Sequence, residues 1–180
     1  MGETCPAEGE FFVTLKTGAT VTLRSICPDD EPLMVKFHQT LSDYTVYMRY
    51  FCSLPLRTRV AHDRLVGVCF VDHIRQIAIV AELKDSITGE VKILAVGRLM
   101  RLHSPDEAEL ALLVADAYQN QGLGTHLVRR LLEIARAKGI RRISAEMLGE
   151  NIAVQAILKK AGFRLARIPD SSSVAATLVF

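Results

Sequence analysis

Net charge is almost absent from this 180-residue chain: 22 Lys and Arg stand against 20 Asp and Glu, a formal balance of +2. A dedicated nucleic-acid binder carries a clear basic excess, and a charge-extended disordered chain a large imbalance, so neither class fits. Long apolar runs are missing as well. No stretch approaches the ~18 uninterrupted apolar residues of a membrane-spanning helix. The first ten residues hold Glu3, Glu8 and Glu10, where a secretory signal needs a basic start and an apolar run. Cysteine is sparse and irregular: Cys5, Cys27, Cys52 and Cys69 form no C-x-x-C pair. A domain of this size needs no disulfide framework, so reduced, mostly buried cysteines and a cytoplasmic location are expected. His38, His62, His73, His103 and His126 lack the spacing of a metal site, so no metal is expected. Internal repeats and low-complexity segments are absent.

What is there is an ordinary globular mixture, 49% hydrophobic and 23% charged. A domain of about 150 residues buries roughly 70% of its unfolded surface, enough for a full core. Residues 1–10 are expected to form a mobile tail and residues 11–180 a single domain. Phe11–Lys16 and Thr20–Arg24 read as paired strands around Thr17-Gly18. Pro28 to Pro32 opens a helix carrying Leu33, Val35, Phe37 and Leu41, with Asp29 or Asp30 as its cap. Ser42-Asp43 starts a second helix with Tyr44, Tyr47 and Tyr50, read chiefly as packing residues. Pro55 ends it, and a third helix is expected over Arg57–Val68. Strands follow at Gln76–Leu83, Val91–Leu102 and Ala108–Ala115. A helix spans Gly122–Lys138, with Leu123, Leu127, Val128, Leu131 and Ile134 on one face. A strand at Ile143–Met147, a helix at Asn151–Ala161 and strands at Phe163–Arg167 and Val174–Phe180 complete the chain. An antiparallel meander thus precedes one strand–helix–strand crossover, which predicts an α/β (α+β) sheet covered by helices.

The chemistry concentrates where a buried strand meets a helix, at Val114-Ala115-Asp116-Ala117-Tyr118-Gln119-Asn120-Gln121-Gly122-Leu123-Gly124-Thr125. A helix N-terminus presents free backbone N–H groups at the positive end of its dipole, which suits an anion. Gly122 and Gly124 leave space where a phosphate would approach; the plainer alternative is two glycines for helix packing. No Lys follows in the manner of a Walker loop, and no third glycine completes a dinucleotide fingerprint. Gln119-x-x-Gly122-x-Gly124 remains.

This pattern resembles the acetyl-CoA motif Q/R-x-x-G-x-G/A of the GCN5-related N-acetyltransferases (GNAT). Asn151-Ile152-Ala153-Val154-Gln155-Ala156-Ile157-Leu158-Lys159-Lys160-Ala161-Gly162-Phe163 resembles the family's second signature, an Asn-led helix closing in Lys-x-Gly-Phe. Ile26 to Met34, Tyr47-Met48-Arg49-Tyr50-Phe51 and Ala108-Glu109-Leu110-Ala111-Leu112-Leu113-Val114 are similar to the catalytic domain of bacterial protein lysine acetyltransferases of the Pat type. The resemblance implies a GNAT fold with a splayed central strand pair, acetyl-CoA as cosubstrate, and direct transfer to an amine in a ternary complex. The acceptor it implies is a protein lysine, acyl-CoA synthetases among the targets. Pat-type relatives often carry a further domain, and this chain is expected to be the catalytic module alone, monomeric or homodimeric.

By the same resemblance, Leu112, Leu113 and Val114 would pair with pantetheine as an added strand would. Gln119, Asn120, Gln121, Gly122, Leu123, Gly124 and Thr125 would hold the pyrophosphate. Asn151 would lie near the pantetheine arm or serve as a plain helix N-cap, two roles that are compatible. Glu109 is the expected general base, a charge on an otherwise apolar strand; the alternative is an exposed strand start beside Asp106 and Glu107. Glu146 is the reserve base, and a backbone N–H near Val114 would polarise the thioester carbonyl. Many relatives place a Tyr proton donor where Leu158 stands. A small amine acceptor, or a catalytically silent acyl-CoA-binding module, are the alternative functions. The basic stretch Arg129–Arg142 reads as a solvated face or as help toward the anionic cofactor.

Overall fold

The computed structural model describes residues 9–70, 72 and 75–180. Residues 1–8, which hold most of the expected tail, together with Val71, His73 and Ile74, lie outside the described residues. The strands are β1 (Phe11–Thr14), β2 (Thr20–Ser25), β3 (Gln76–Lys84), β4 (Val91–Arg101), β5 (Glu107–Val114), β6 (Arg142–Leu148), β7 (Arg164–Arg167) and β8 (Ser173–Val179). The helices are α1 (Glu31–Gln39), α2 (Asp43–Tyr50), α3 (Leu56–Arg59), α4 (His62–Cys69), α5 (Leu123–Ala137) and α6 (Ile152–Lys160). One sheet runs in the order β1-β2-β3-β4-β5-β6-β8-β7. Every neighbouring pair is antiparallel except β5 and β6, which the α5 crossover makes parallel.

The expected Arg57–Val68 helix is two helices. Ala61 is extended at φ −61° and ψ 133°, which interrupts the helical ladder and makes it the cap of α4. The buried Arg59 guanidinium donates to the His38 and Leu54 carbonyls at 2.9 and 3.1 Å, tying α3 to the end of α1.

Two cores sandwich the sheet. On one face, Leu123, Leu127, Val128, Leu131 and Ile134 of α5 pack with Leu158 and Phe163 against Leu94, Leu99, Leu110, Ile143 and Met147. Burying each large aliphatic side chain contributes about 1.5–3 kcal/mol. Helix and sheet touch closely at Gly97, where a Cβ would lie 2.8 Å from Leu131 Cδ1. On the other face, Met34 and Phe37 of α1, Val46 of α2, and Leu65 and Cys69 of α4 cover Val80, Ile93, Val96 and Leu113. Cys69 is a buried free thiol and Cys52 an exposed one. Cys27 corrects the expectation of reduced cysteines: it is disulfide-bonded, and it sits half-buried at the turn before α1 rather than in the core.

The sheet opens in its middle. β5 pairs with β4 from Arg101↔Ala108 to Ala95↔Val114, and β6 pairs with β8 from Arg142↔Val179 to Leu148↔Ser173. Between β5 and β6 only Glu107↔Arg142, Ala108↔Ile143 and Glu109↔Ser144 pair. Beyond that rung the two strands diverge, and their facing edges have no strand between them.

Candidate active site

A cavity of about 860 Å³ occupies this split and continues past the end of β5. Its β5 wall runs from Glu109 to Val114, and its β6 wall includes Ala145, Glu146 and Met147. Backbone direction along β5 follows from one bond: Ala115 N–H donates to the Leu94 carbonyl at 2.9 Å and so faces β4. Successive residues of a strand alternate, so the peptide groups of Leu112 and Val114 face the split. Leu112 and Val114 therefore offer main chain to a ligand, whereas Leu113 faces β4 with its main chain and offers its side chain.

The chain then makes a short turn at Asp116–Tyr118 and enters α5 through Gly122. Asn120 and Gly122 are left-handed, at φ 60° and 93°. Asparagine tolerates φ near 60°, but at φ 93° a side chain is strained, so Gly122 is required by the backbone itself. The first intrahelical bond is His126 N–H to the Gly122 carbonyl, 3.1 Å. The preceding N–H groups of Leu123, Gly124 and Thr125 are those that a helix leaves unpaired at its start. Gly124 lines the cavity, and its bareness also serves packing. A Cβ there would lie 2.9 Å from Ile157 Cδ1 and 3.2 Å from Leu112 Cδ2. Gly124 thus lets α5 seat against α6 and β5.

The turn between β1 and β2 clamps this loop from outside. Lys16 N–H donates to the Gln121 carbonyl at 3.2 Å, and Lys16 Nζ to the Asn120 carbonyl at 3.1 Å. Gln121 is committed to scaffolding, its Nε2 donating to the Ala117 carbonyl at 2.8 Å. Gln119 is too: its Nε2 donates to the Val114 carbonyl at 3.1 Å and to Thr45 Oγ1 at 3.0 Å. The motif's glutamine side chains thus shape the loop, and its N–H groups are left for an anion.

Lys16, His126, Arg129 and Lys160 also line the cavity. Sequence reasoning missed Lys16, which reaches the loop from 104 residues away, and His126, which it read as a surface or packing residue. Burial and the neighbouring Arg129 push the His126 pKa down. Of the basic stretch only Arg129 reaches the cavity. Arg130 pairs with Glu133 at 3.2 Å, and Arg136 stacks on Phe180.

Glu109 is half-buried and lines the cavity at the vertex of the split. It is not a loosely exposed strand start, because both neighbouring strands pair with it. Arg49 of α2 lines the same wall. Burial lowers the Arg49 pKa against the pull of Tyr50 and Glu109. Tyr44 lines the cavity mouth, while Tyr50 lies between the guanidiniums of Arg49 and Arg64 at 5.1 and 5.0 Å. Glu146 is exposed on β6 and also faces the cavity, as does Glu150. Asn151 serves as a cap and as cavity lining: its Oδ1 accepts Val154 N–H at 3.2 Å. Leu158 is fully buried against the sheet, so this position offers the cavity no polar group.

A split parallel strand pair beside a helix start with unpaired N–H groups can take an extended ligand that carries an anionic end. The sequence profile described as the acetyltransferase (GNAT) domain matches residues 20–164. The chain is 30% identical over 151 residues to the acetyltransferase Pat of Mycolicibacterium smegmatis, covering 83% of this chain and 43% of that protein. It is 26% identical over 167 residues to the acetyltransferase PA5475 of Pseudomonas aeruginosa, covering 92% and 87% of the two chains. Its fold superimposes on the GNAT domain of S. lividans PAT with a TM-score of 0.84 at 28% identity, over 97% and 99% of the two chains. The chain belongs to the GNAT acetyltransferase family and is an N-acetyltransferase. The fold implies acetyl-CoA as cosubstrate, and the cavity's free helix N–H groups with the cations of Lys16, Arg129 and Lys160 suit its phosphates. Among the described residues no helix is long and apolar enough to cross a membrane.

Proposed function

We propose that this protein transfers the acetyl group of acetyl-CoA directly to a lysine ε-amine of another protein, in the cytoplasm, with residues 11–180 acting as one domain. The single observation that carries the chemistry is the place of Glu109, at the rung where β5 and β6 part and facing the cavity. A lysine ammonium with pKa near 10.4 leaves only roughly one amine in two thousand neutral at pH 7. Attack on a thioester requires the neutral form, so a carboxylate beside the reacting centre raises the rate by accepting that proton. The amine nitrogen bonds to the thioester carbon, the C–S bond breaks, CoA leaves as the thiolate, and Glu109 takes the amine proton directly or through water. The thiolate is a tolerable leaving group, since a free thiol has pKa about 8.5, which agrees with Leu158 standing where relatives have a Tyr.

The cosubstrate would lie with its pantetheine amides against the peptide groups of Leu112 and Val114, beside Leu113 and Asn151. Its pyrophosphate would meet the loop from Gln119 to Thr125 and the N–H groups of Leu123, Gly124 and Thr125. Val114 N–H, which faces the split, would polarise the thioester carbonyl. Two features support a protein acceptor over a small amine. Large apolar side chains that line the cavity are open to solvent, Tyr44 63% and Ile152 66% exposed, and the sequence resembles Pat-type enzymes over much of its length. Incubation with acetyl-CoA and purified acyl-CoA synthetases, with lysine acetylation read by mass spectrometry, is the test. Acetylated lysine on a synthetase is expected. Acetylation of polyamines or free amino acids alone would move the acceptor to small amines.

A further inference from the structure

We propose that Asp116 is a positioning residue for acetyl transfer, fixing the acceptor-side helix α2 to the cofactor-side loop through Thr45 and Gln119. This rests on the reading of the cavity as the meeting place of acetyl-CoA and an amine. Asp116 stands two residues past the end of β5, yet its carboxylate serves α2, which precedes it by some seventy residues. Oδ2 accepts Ser42 N–H at 2.9 Å. Oδ1 accepts the Ser42 hydroxyl at 2.5 Å and the Thr45 hydroxyl at 2.8 Å.

The direction of every bond onward is fixed by chemistry. A carboxylate only accepts, so the one hydroxyl proton of Thr45 points to Asp116. Thr45 Oγ1 is then free to accept Gln119 Nε2, at 3.0 Å. The same Nε2 donates to the Val114 carbonyl at 3.1 Å, and Val114 faces the strand split. Thr45 is only 7% exposed, while Asp116 and Gln119 stand at the surface, so the network hangs on one buried hydroxyl. Burial works to raise the Asp116 carboxyl, but the hydrogen bonds from Ser42 and Thr45 outweigh it and hold it below the usual carboxylate range.

Asp116 does not line the cavity, whereas Thr45 and Gln119 do. It therefore acts through them. α2 brings Tyr44, Thr45, Met48 and Arg49 to the cavity wall, and the loop brings Gln119 to Gly122. These two walls come from opposite faces of the sheet, and the Asp116 network ties them together. Asparagine cannot replace the carboxylate. With its oxygen kept on Ser42 N–H, its Nδ2 would stand where Oδ1 accepts, so the Ser42 and Thr45 hydroxyl protons both lose their acceptor.

The experiment measures kcat and KM with a purified acyl-CoA synthetase as acceptor, and the acetyl-CoA Kd by calorimetry. The variants are Asp116→Asn, Thr45→Val, the two combined, and Thr45→Ser. A shift of about 1 Å between reacting groups costs on the order of 100-fold, so kcat/KM for the acceptor is expected to fall about 10- to 100-fold in the first two. Acetyl-CoA Kd is expected to change much less than kcat/KM, because Gln119 keeps its bond to the Val114 carbonyl and the N–H groups at the start of α5 are untouched. The combined variant is expected to be no worse than the single ones, as members of one network are not additive. Thr45→Ser keeps the hydroxyl and is expected to restore turnover. Parallel loss of acetyl-CoA affinity, multiplying defects, or failure of the serine rescue each overturns the proposal. If Asp116→Asn does not fold, the Thr45 pair makes the same comparison. A wild-type protein that binds no acetyl-CoA instead brings down the acetyl-transfer reading, and one that binds it without acetylating the synthetase brings down the protein-lysine acceptor.

Discussion

Glu109 of β5 and Ser144 of β6 face each other as the last paired residues before the two strands separate. A carboxylate is thereby held at the vertex of a V-shaped opening, on a strand anchored along its other edge by β4. Its backbone is paired on both sides, with Met100 and Ser144, while its side chain meets the cavity.

Glu109→Gln keeps this geometry and removes the base. Its kcat is expected to fall by about 100-fold or more at pH 7, with acetyl-CoA affinity unchanged. The deficit is expected to shrink as pH rises toward the acceptor amine's own pKa, because the amine then loses its proton unaided. A kcat/KM profile from pH 6 upward checks both statements. Undiminished turnover would transfer the role to Glu146.

The two glycines of the phosphate loop are expected to fail differently. Gly122 has φ 93°, so Gly122→Ala strains the backbone that aims the α5 N–H groups. Acetyl-CoA affinity is expected to drop by about tenfold, in line with the ~1–2 kcal/mol cost of a left-handed L-residue. Gly124→Ala instead presses on Ile157 and Leu112. Its main effect is expected on Tm, with affinity less changed. Calorimetric titration beside thermal melting separates the two.

Lys16→Ala removes the Nζ bond to the Asn120 carbonyl and one cation from the cavity wall. Acetyl-CoA Kd is expected to rise a few-fold, since a charge contact at an exposed site contributes roughly 0.2–1 kcal/mol. The slope of Kd against salt is expected to become shallower, since one screened attraction is gone.

His38 is buried, its Nδ1 has no hydrogen-bond partner, and burial with nearby Arg59 and Arg64 lowers its pKa from 6.5 to about 4. A histidine with a depressed folded pKa binds fewer protons folded than unfolded. Its contribution is therefore intact above pH 6.5 and lost as pH falls toward 4. The loss is about 2 kcal/mol by pH 5. Urea unfolding at pH 7 and pH 5 is expected to show this drop in the wild type, and His38→Phe to remove much of it. An equal drop in both proteins would assign acid sensitivity to other groups.

Local features were legible in the sequence. The α5 stripe, the strand ending at Val114 and the Gly122 turn are written in consecutive residues, because helix periodicity and left-handed backbone are short-range demands. The break at Ala61 was not legible, since Arg57 to Val68 carries a continuous helical pattern. The break goes with a tertiary tie, the Arg59 guanidinium reaching His38 and Leu54. Lys16, His126 and Arg49 were not legible as cavity residues. Nothing in their own neighbourhoods distinguishes them from surface or packing residues. The disulfide at Cys27 was equally silent, as irregular spacing carries no pairing information.

The sequence by itself determined the order of elements, the family, the loop that can take a phosphate, and the choice of Glu109 as the charge to watch. These rest on short-range sterics and on patterns a few residues long. Only the tertiary structure decided that β5 and β6 part after Glu109 and Ser144, that Gly124 serves packing, and that Asp116 reaches back to Thr45. Strand register and hydrogen bonds between distant segments depend on how whole faces pack, and no local run of residues encodes them.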